Sequence, residues 1–360
     1  MTERTRLFLT TDAVGGVWTY SLELASALVQ HGVETVLATL GPPPSGGQRA
    51  EAARVPGLQL VETGLPLDWL ASDATQLRIA AEALARLADE HCPDVVQLHS
   101  PALALGKFPA PVVGVVHSCV ATWWAAVRGG ALPADFRWRT DLLGEGMTCC
   151  DLLVTPTAAF GRAVQDAYGL RHAPIAVHNG RFVRPASGSE PAEAAFTAGR
   201  LWDEGKNVLA FDRAAQGSKV PFRAAGPTQG PNGAGVQLRH ATALGNLPEA
   251  ELAAALDERP IFVSTARYEP FGLAVLEAAQ AGCTLVLSDI LTFRELWDGV
   301  ALFVRDEDIA AAVDQLIADR EQRERLGAKA RDRASRYTPQ ATAAAMLDLY
   351  RGLDQRRRAA

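Results

Sequence analysis

Residues 1–180 alternate short apolar runs with longer stretches whose apolar positions recur every three or four residues. The runs "RLFLTTD", "ETVLATL", "DVVQLHS", "VVGVVHS", "DLLVTPT" and "IAVHNG" show little polar alternation, the pattern of strands buried on both faces. Between them, "WTYSLELASALVQHG" and "TQLRIAAEALARLADEH" carry the period of amphipathic helices. This order predicts βαβ units on a parallel sheet. A small-residue, polar stretch at 184–194, "RPASGSEPAEA", interrupts the pattern and is expected to be a linker. The alternation resumes with "AAFTAGR" and runs through "PIFVSTA" and "TLVLSD" to "ALFVRD". The expected fold is α/β: two doubly wound Rossmann-like domains, 1–183 and 195–337, facing across a cleft. The segments "DIAAAVDQLIADREQRERLGAKARDRASRY" and "PQATAAAMLDLYRGL" read as helices broken at "YTP", where Pro339 can begin the second. Residues 338–360 are expected to pack back toward the first domain.

In open α/β sheets ligands gather beyond the carboxyl ends of the strands, so the informative residues are those where each apolar run stops. The first run stops at "TTDAVGGVWTY", and Gly15 and Gly16 there are expected to permit a tight turn and bring bare amides to a ligand. The spacing is not GxGxxG, which argues against a dinucleotide cofactor. His99 and His117 close two runs that read as adjacent strands. A loop bearing Trp123 and Trp124 follows His117, suited to gripping a sugar or an aglycone by its apolar face. In the second half, "AFTAGRLWDEGKN" places Arg200 and Lys206 after a strand, two cations that suit a diphosphate. "ARYEPFGLAVLEAAQAG" puts Glu269 and Glu277 eight positions apart around Phe271, Gly272 and Leu273, at a helix start. Open amides and the helix dipole make an anion site there, while the carboxylates suit neutral hydroxyls. A ligand with phosphate flanked by two polyols is a nucleotide sugar.

Composition narrows the field. The chain has 360 residues, enough for two domains with their own cores, and 48% hydrophobic with 21% charged content is ordinary for a water-soluble globular protein. Net charge is −6, and residues 1–180 carry 12 basic against 17 acidic side chains, leaving 23 against 24 for the remainder. That balance disfavours nucleic acid and an anionic lipid surface as partners. Five cysteines (Cys92, Cys119, Cys149, Cys150 and Cys283) without a CxxC pair suggest free thiols in a reducing cytoplasm. No apolar run approaches the length of a membrane span, and the N-terminus turns polar too soon for a signal peptide.

Together, "GGVWTY", "HNG", "GRLWDEGKN" and the PFG loop between Glu269 and Glu277, followed by "AAQAGCTLVLSD", resemble the large group-1 family of retaining GT-B glycosyltransferases, in order and over nearly the whole chain. The resemblance implies that Arg200 and Lys206 neutralise the donor diphosphate, helped by amides of Gly16, Phe271, Gly272 and Leu273. It implies that Glu277 binds the ribose, that Glu269 contacts the transferred sugar and that His117 sits beside the anomeric centre. Residues 241–248 would hold the base, while Gly15, His99, Trp123 and Trp124 would lie on the acceptor side. No metal or separate cofactor is implied, the UDP- or GDP-linked sugar being a co-substrate and the acceptor a small molecule or glycan. Val17, Trp18 and Thr19 stand where many members carry a basic residue, which leaves the acceptor open. The competing readings are a sugar-nucleotide epimerase or hydrolase on the same fold and a non-catalytic nucleotide-sugar-binding protein.

Overall fold

A computed structural model describes residues 5–183, 190–230 and 233–359. Most of the expected linker, 184–189, lies outside the described residues. The chain divides into two compact units, one of residues 1–125, 130–182 and 338–360, the other of residues 126–129 and 183–337.

The first unit is built on β1 (Thr5–Asp12), β2 (Val33–Leu40), β3 (Leu58–Glu62), β4 (Val95–Leu98), β5 (Val112–Val115), β6 (Leu152–Thr155) and β7 (Ile175–Ala176). They form a sheet in the order β3-β2-β1-β4-β5-β6-β7, with parallel pairing throughout. β1 lies inside the sheet, and its Leu7, Phe8 and Leu9 are fully buried, as the unbroken apolar run requires. β3 was not among the expected strands, because on the sheet edge its residues alternate only between half-buried and exposed.

The second unit carries β8 (Ala195–Ala198), β9 (Phe222–Ala225), β10 (Thr242–Gly245), β11 (Ile261–Ser264), β12 (Leu285–Ser288) and β13 (Leu302–Val304). Their order is β10-β9-β8-β11-β12-β13, again all parallel. Numbered from its own first strand, this sheet repeats the sequence 3-2-1-4-5-6 of the first. Each therefore has its topological switch point between strands 1 and 4, where doubly wound sheets bind ligands.

Local chemistry sets the helix ends. Asp73 caps the helix Ala74–Glu90 by accepting from the Gln76 amide, and Thr157 does the same for Ala158–Tyr168 through Phe160. The expected long helix from residue 309 is two, Ile309–Ala318 and Arg320–Ala334. Asp319 leaves the helical conformation and caps the second by accepting from the Gln322 amide, a stop signal that outweighs the continuing helical pattern. Pro339 opens the helix Pro339–Ala359, and the Thr338 hydroxyl accepts from the Ala341 amide at 3.2 Å. Ala343, Met346, Leu347, Tyr350 and Leu353 lie on one face of that helix and join the core of the first unit beside Leu7 and Leu9. Burial of each of the larger side chains contributes about 1.5–3 kcal/mol. The terminal helix is thereby part of the first unit.

Candidate functional site

At the end of β1, the Asp12 carboxylate accepts from the amides of Val14 and Gly15, at 2.8 and 3.1 Å. The turn is made by this side chain. Gly15 is extended (φ −149°) and Gly16 is the first residue of the helix Gly16–Leu28, so the tight turn expected of the two glycines does not draw on a left-handed glycine. No side chain caps this helix, which leaves its first amides directed outward from the sheet end.

β4 and β5 are adjacent, and His99 and His117 follow their ends. The two imidazoles stand perpendicular, with centroids 4.8 Å apart, and Tyr20 meets His117 at 4.8 Å and His99 at 5.2 Å. His99 Nε2 lies 2.9 Å from Gln97 Nε2, and Nδ1 lies 3.4 Å from Ser21 Oγ. His117 Nε2 is buried without a hydrogen-bond partner. Burial lowers the His117 pKa to about 4; burial, with His117 as neighbour, holds His99 well below its usual 6.5. Both rings are neutral at physiological pH. They can donate or accept hydrogen bonds, but they are not cations for a phosphate.

Trp123 and Trp124 sit on the helix Val120–Val127, not on a loop as expected. The run "VATWWAAV" holds no glycine or proline to stop a helix, and the glycines lie beyond it. Both indoles are half-buried, 6.3 Å apart, and Trp124 meets Phe136 at 5.8 Å. Next to His99, Ser100 donates to Asp68 at 2.6 Å, and burial raises the Asp68 pKa.

In the second unit, the loop after β8 is stitched to the loop after β11. Amides of Arg267 and Tyr268 donate to the Gly205 carbonyl at 2.9 and 3.2 Å. The Thr265 hydroxyl lies 3.0 Å from the carbonyls of both Lys206 and Asn207. These bonds bring Lys206 onto Glu269, and the two form a half-buried ion pair. Arg200 is more exposed; it donates to Asp203 at 3.1 Å, and its guanidinium lies 5.9 Å from the Trp202 ring centre. The two expected cations are therefore carboxylate-paired rather than bare. A concavity beside them is lined by Gly199, Lys206, Ser264, Glu269 and Ala274 among others.

Gly272 adopts φ +91°, and a Cβ there would stand 3.2 Å from Phe293 and 3.3 Å from Glu269 Cγ. Glycine is thus needed on both conformational and spatial grounds. The helix Leu273–Ala281 starts there without a side-chain cap, so its open end adjoins the Lys206–Glu269 pair. Phe271 is buried against Tyr337, with centroids 5.9 Å apart, so its ring is committed to the core. Leu273 and Glu277 are half-buried. β10, within the stretch expected to meet the base, is an exposed sheet edge. It is anchored from beneath by Asp212, whose carboxylate accepts from the amides of Arg239, His240 and Ala241 at 2.8–3.0 Å. Burial pushes the Asp212 pKa up, but these amides outweigh it and hold the group below the usual carboxylate range.

Asp12, Gln97, Asp203 and Asp212 were not singled out in the sequence. Gln97 had a visible signal, as the one polar residue in "VVQL". Among the described residues, no group of three or more His, Cys, Asp or Glu side chains could hold a metal ion, and no helix is long and apolar enough to cross a membrane.

Residues 14–180 match the family model described as Glycosyltransferase Family 4, and residues 237–333 match Glycosyl transferases group 1. A glycogen synthase of Mycobacterium tuberculosis is 30% identical over 292 residues, covering 72% of this chain and 68% of that protein. The chain belongs to the group-1 glycosyltransferases. Among solved structures, the glycosyltransferase is similar to sucrose-phosphate synthase from Thermosynechococcus elongatus, with TM-score 0.79 and 17% identity over 97% of this chain and 99% of that one. It is also similar to HepE from Anabaena, solved in complex with UDP and glucose, with TM-score 0.71 and 14% identity over 96% and 99% of the two chains. At those identities the likeness is one of fold, and the fold is GT-B.

Proposed function

We propose that this glycosyltransferase moves a hexose from a nucleoside-diphosphate sugar to an acceptor hydroxyl, with retention of anomeric configuration and without a metal ion. The observation that carries the reading is the Lys206–Glu269 pair, set against the uncapped helix start at Gly272. An ammonium has three donors, so Lys206 can keep Glu269 and still bind a phosphate oxygen. Glu269 in turn restrains the lysine and offers its second carboxylate oxygen to a sugar hydroxyl. Amides of Phe271, Gly272 and Leu273 and the dipole of their helix face the same charge. As the glycosidic bond to the diphosphate breaks, negative charge grows on the leaving oxygen, and these groups stabilise it without reorganising. Arg200 adds a mobile cation that must exchange Asp203 for phosphate, and Glu277 accepts from the ribose hydroxyls.

Gly16 of the first unit presents its amide at the start of the first helix, beside Gly15 whose own amide is held by Asp12, and Trp123 and Trp124 offer an apolar face to the acceptor. His117, neutral and with an unused buried nitrogen, serves the transferred sugar as a hydrogen-bonding group rather than a proton carrier. The HepE complexes with UDP and with UDP-glucose favour a uridine donor. The acceptor is a small molecule or a glycan, and the free cysteines suit the cytoplasm.

The test is incubation with UDP- and GDP-linked hexoses and an acceptor panel, in the presence of a chelator, reading the new anomeric proton by NMR. A product with the donor's configuration is expected. An inverted product, transfer abolished by the chelator, or complete conversion of donor without acceptor would overturn the reading.

A further inference from the structure

Gln97 is fully buried in β4, and two side chains converge on its amide. The Tyr350 hydroxyl, from the helix Pro339–Ala359, bonds to Oε1, and His99 Nε2 lies 2.9 Å from its nitrogen. Taken alone, an amide can face two neighbours either way round. Counting protons removes the ambiguity, and the count begins at Ser21.

Ser21 has one hydroxyl hydrogen. The Val17 carbonyl, 2.7 Å away, can only accept and is the nearest of its partners, so that hydrogen is committed to it, and Thr11 Oγ1 at 3.1 Å must donate to Ser21. At its 3.4 Å contact with His99 Nδ1, Ser21 can then only accept, which places a proton on Nδ1. His99 is neutral at physiological pH, because burial and the neighbouring His117 disfavour the imidazolium. Its Nε2 therefore carries a lone pair. Gln97 must turn its NH2 toward that lone pair and its Oε1 toward Tyr350, whose hydroxyl donates. The Tyr350 hydroxyl, which can donate or accept, completes this arrangement by donating to Oε1.

We infer that Gln97, clamped by Tyr350, is a positioning residue that fixes His99 as the Nδ1-protonated tautomer and holds its ring perpendicular to His117. Both nitrogens of His99 are then engaged inside the protein. His99 is a prop, and the chemistry offered to a ligand at this corner falls to His117, whose Nε2 is unpartnered. This differs from the acceptor-side role expected of His99 in the sequence. The consequence for turnover rests on the functional reading above; the tautomer does not. It also gives the terminal helix a role in the site, since Tyr350 lies 253 residues along the chain from Gln97.

The experiment uses full-length protein labelled with 15N-histidine and long-range 1H–15N spectra at neutral pH, with His99 assigned by comparison with His99→Asn. The wild type should show the Nδ1–H tautomer, although imidazole in water favours Nε2–H. Gln97→Glu preserves the shape but can only accept, so the proton should move to Nε2 or a second one be added. In that variant kcat should fall about tenfold from misplacement of the imidazole pair, with KM for donor little changed. Tyr350→Phe keeps the apolar bulk and loses the clamp, so it should show a mixture of tautomers; it carries the test if Gln97→Glu does not fold. An Nε2–H signal in the wild type, or an unchanged tautomer in the variant that folds, would overturn the inference. Because the spectra need no turnover, a protein that transfers no sugar would defeat the functional reading and leave this one standing.

Discussion

In the first unit the side chains beyond strands 4 and 5 are neutral, half-buried imidazoles set among tyrosine, glutamine and serine, His99 bonded within the unit and His117 with an unpartnered Nε2. In the second, the loops after the corresponding strands 1 and 4 carry charges, Arg200 with Asp203 and Lys206 with Glu269. The strand order is shared, so topology does not account for the contrast. Partners do: the half-buried imidazoles pack against the Tyr20 ring and one another, where desolvation disfavours charge, while each cation on the loops is held by a carboxylate, Arg200 by Asp203 and Lys206 by Glu269. The lesson is that one sheet plan provides two kinds of site. Under the proposed function, a charged ligand group goes to the unit whose cations are paired with carboxylates they can exchange. A neutral hydroxylated group belongs with the unit that keeps its rings uncharged.

The sharpest way to break this contrast is to remove the charge. Lys206→Ala should lower transfer by about 100-fold or more, as expected for loss of a preorganised donor at a developing anion, while His117→Ala retains donor affinity. Steady-state kinetics and titration with UDP distinguish the two; equal loss of UDP affinity in both would erase the division. Glu269→Gln, which keeps shape but breaks the ion pair, should cost about 10-fold in kcat by leaving Lys206 less restrained.

Stability offers a second handle. Asp212→Ala leaves three backbone amides unpaired behind β10 and should destabilise the second unit by about 2–3 kcal/mol in urea denaturation, with the first unit unaffected. Since its folded pKa lies below the ordinary value, the contribution of Asp212 is present above that ordinary value and is lost on acidification through the folded pKa.

The smallest effect separates the units by pH. His117 is harder to protonate in the folded state, so the unfolded chain takes up more protons between pH 6.5 and about 4, and stability should fall as pH drops through that window. His117→Gln should flatten this part of the curve, monitored by thermal melts, whereas Lys206→Ala should leave its slope alone.

Much of the architecture was legible because buried parallel strands write unbroken apolar runs, and β1, β4, β5 and β11 all stop shortly before the residues where chemistry was expected. β3, with no fully buried residue and a glutamine inside it, wrote no such run and escaped notice, and "TWW" suggested a loop although its flanking alanines and valines continue a helix. The Glu269–Gly272 corner was readable from a local motif. Its ion pair was not, because Lys206 is 63 residues away and reaches Glu269 only through backbone bonds between two loops. Gln97 announced itself as a polar residue inside a buried strand, but its partner Tyr350 looked like one more apolar position on an amphipathic helix.

The most direct measurement is calorimetric titration of UDP into the wild type, Arg200→Ala and Lys206→Ala. The account predicts a clear loss of affinity for Lys206→Ala and a smaller loss for Arg200→Ala, whose guanidinium is more exposed and must leave Asp203. Wild-type affinity in both variants would contradict it.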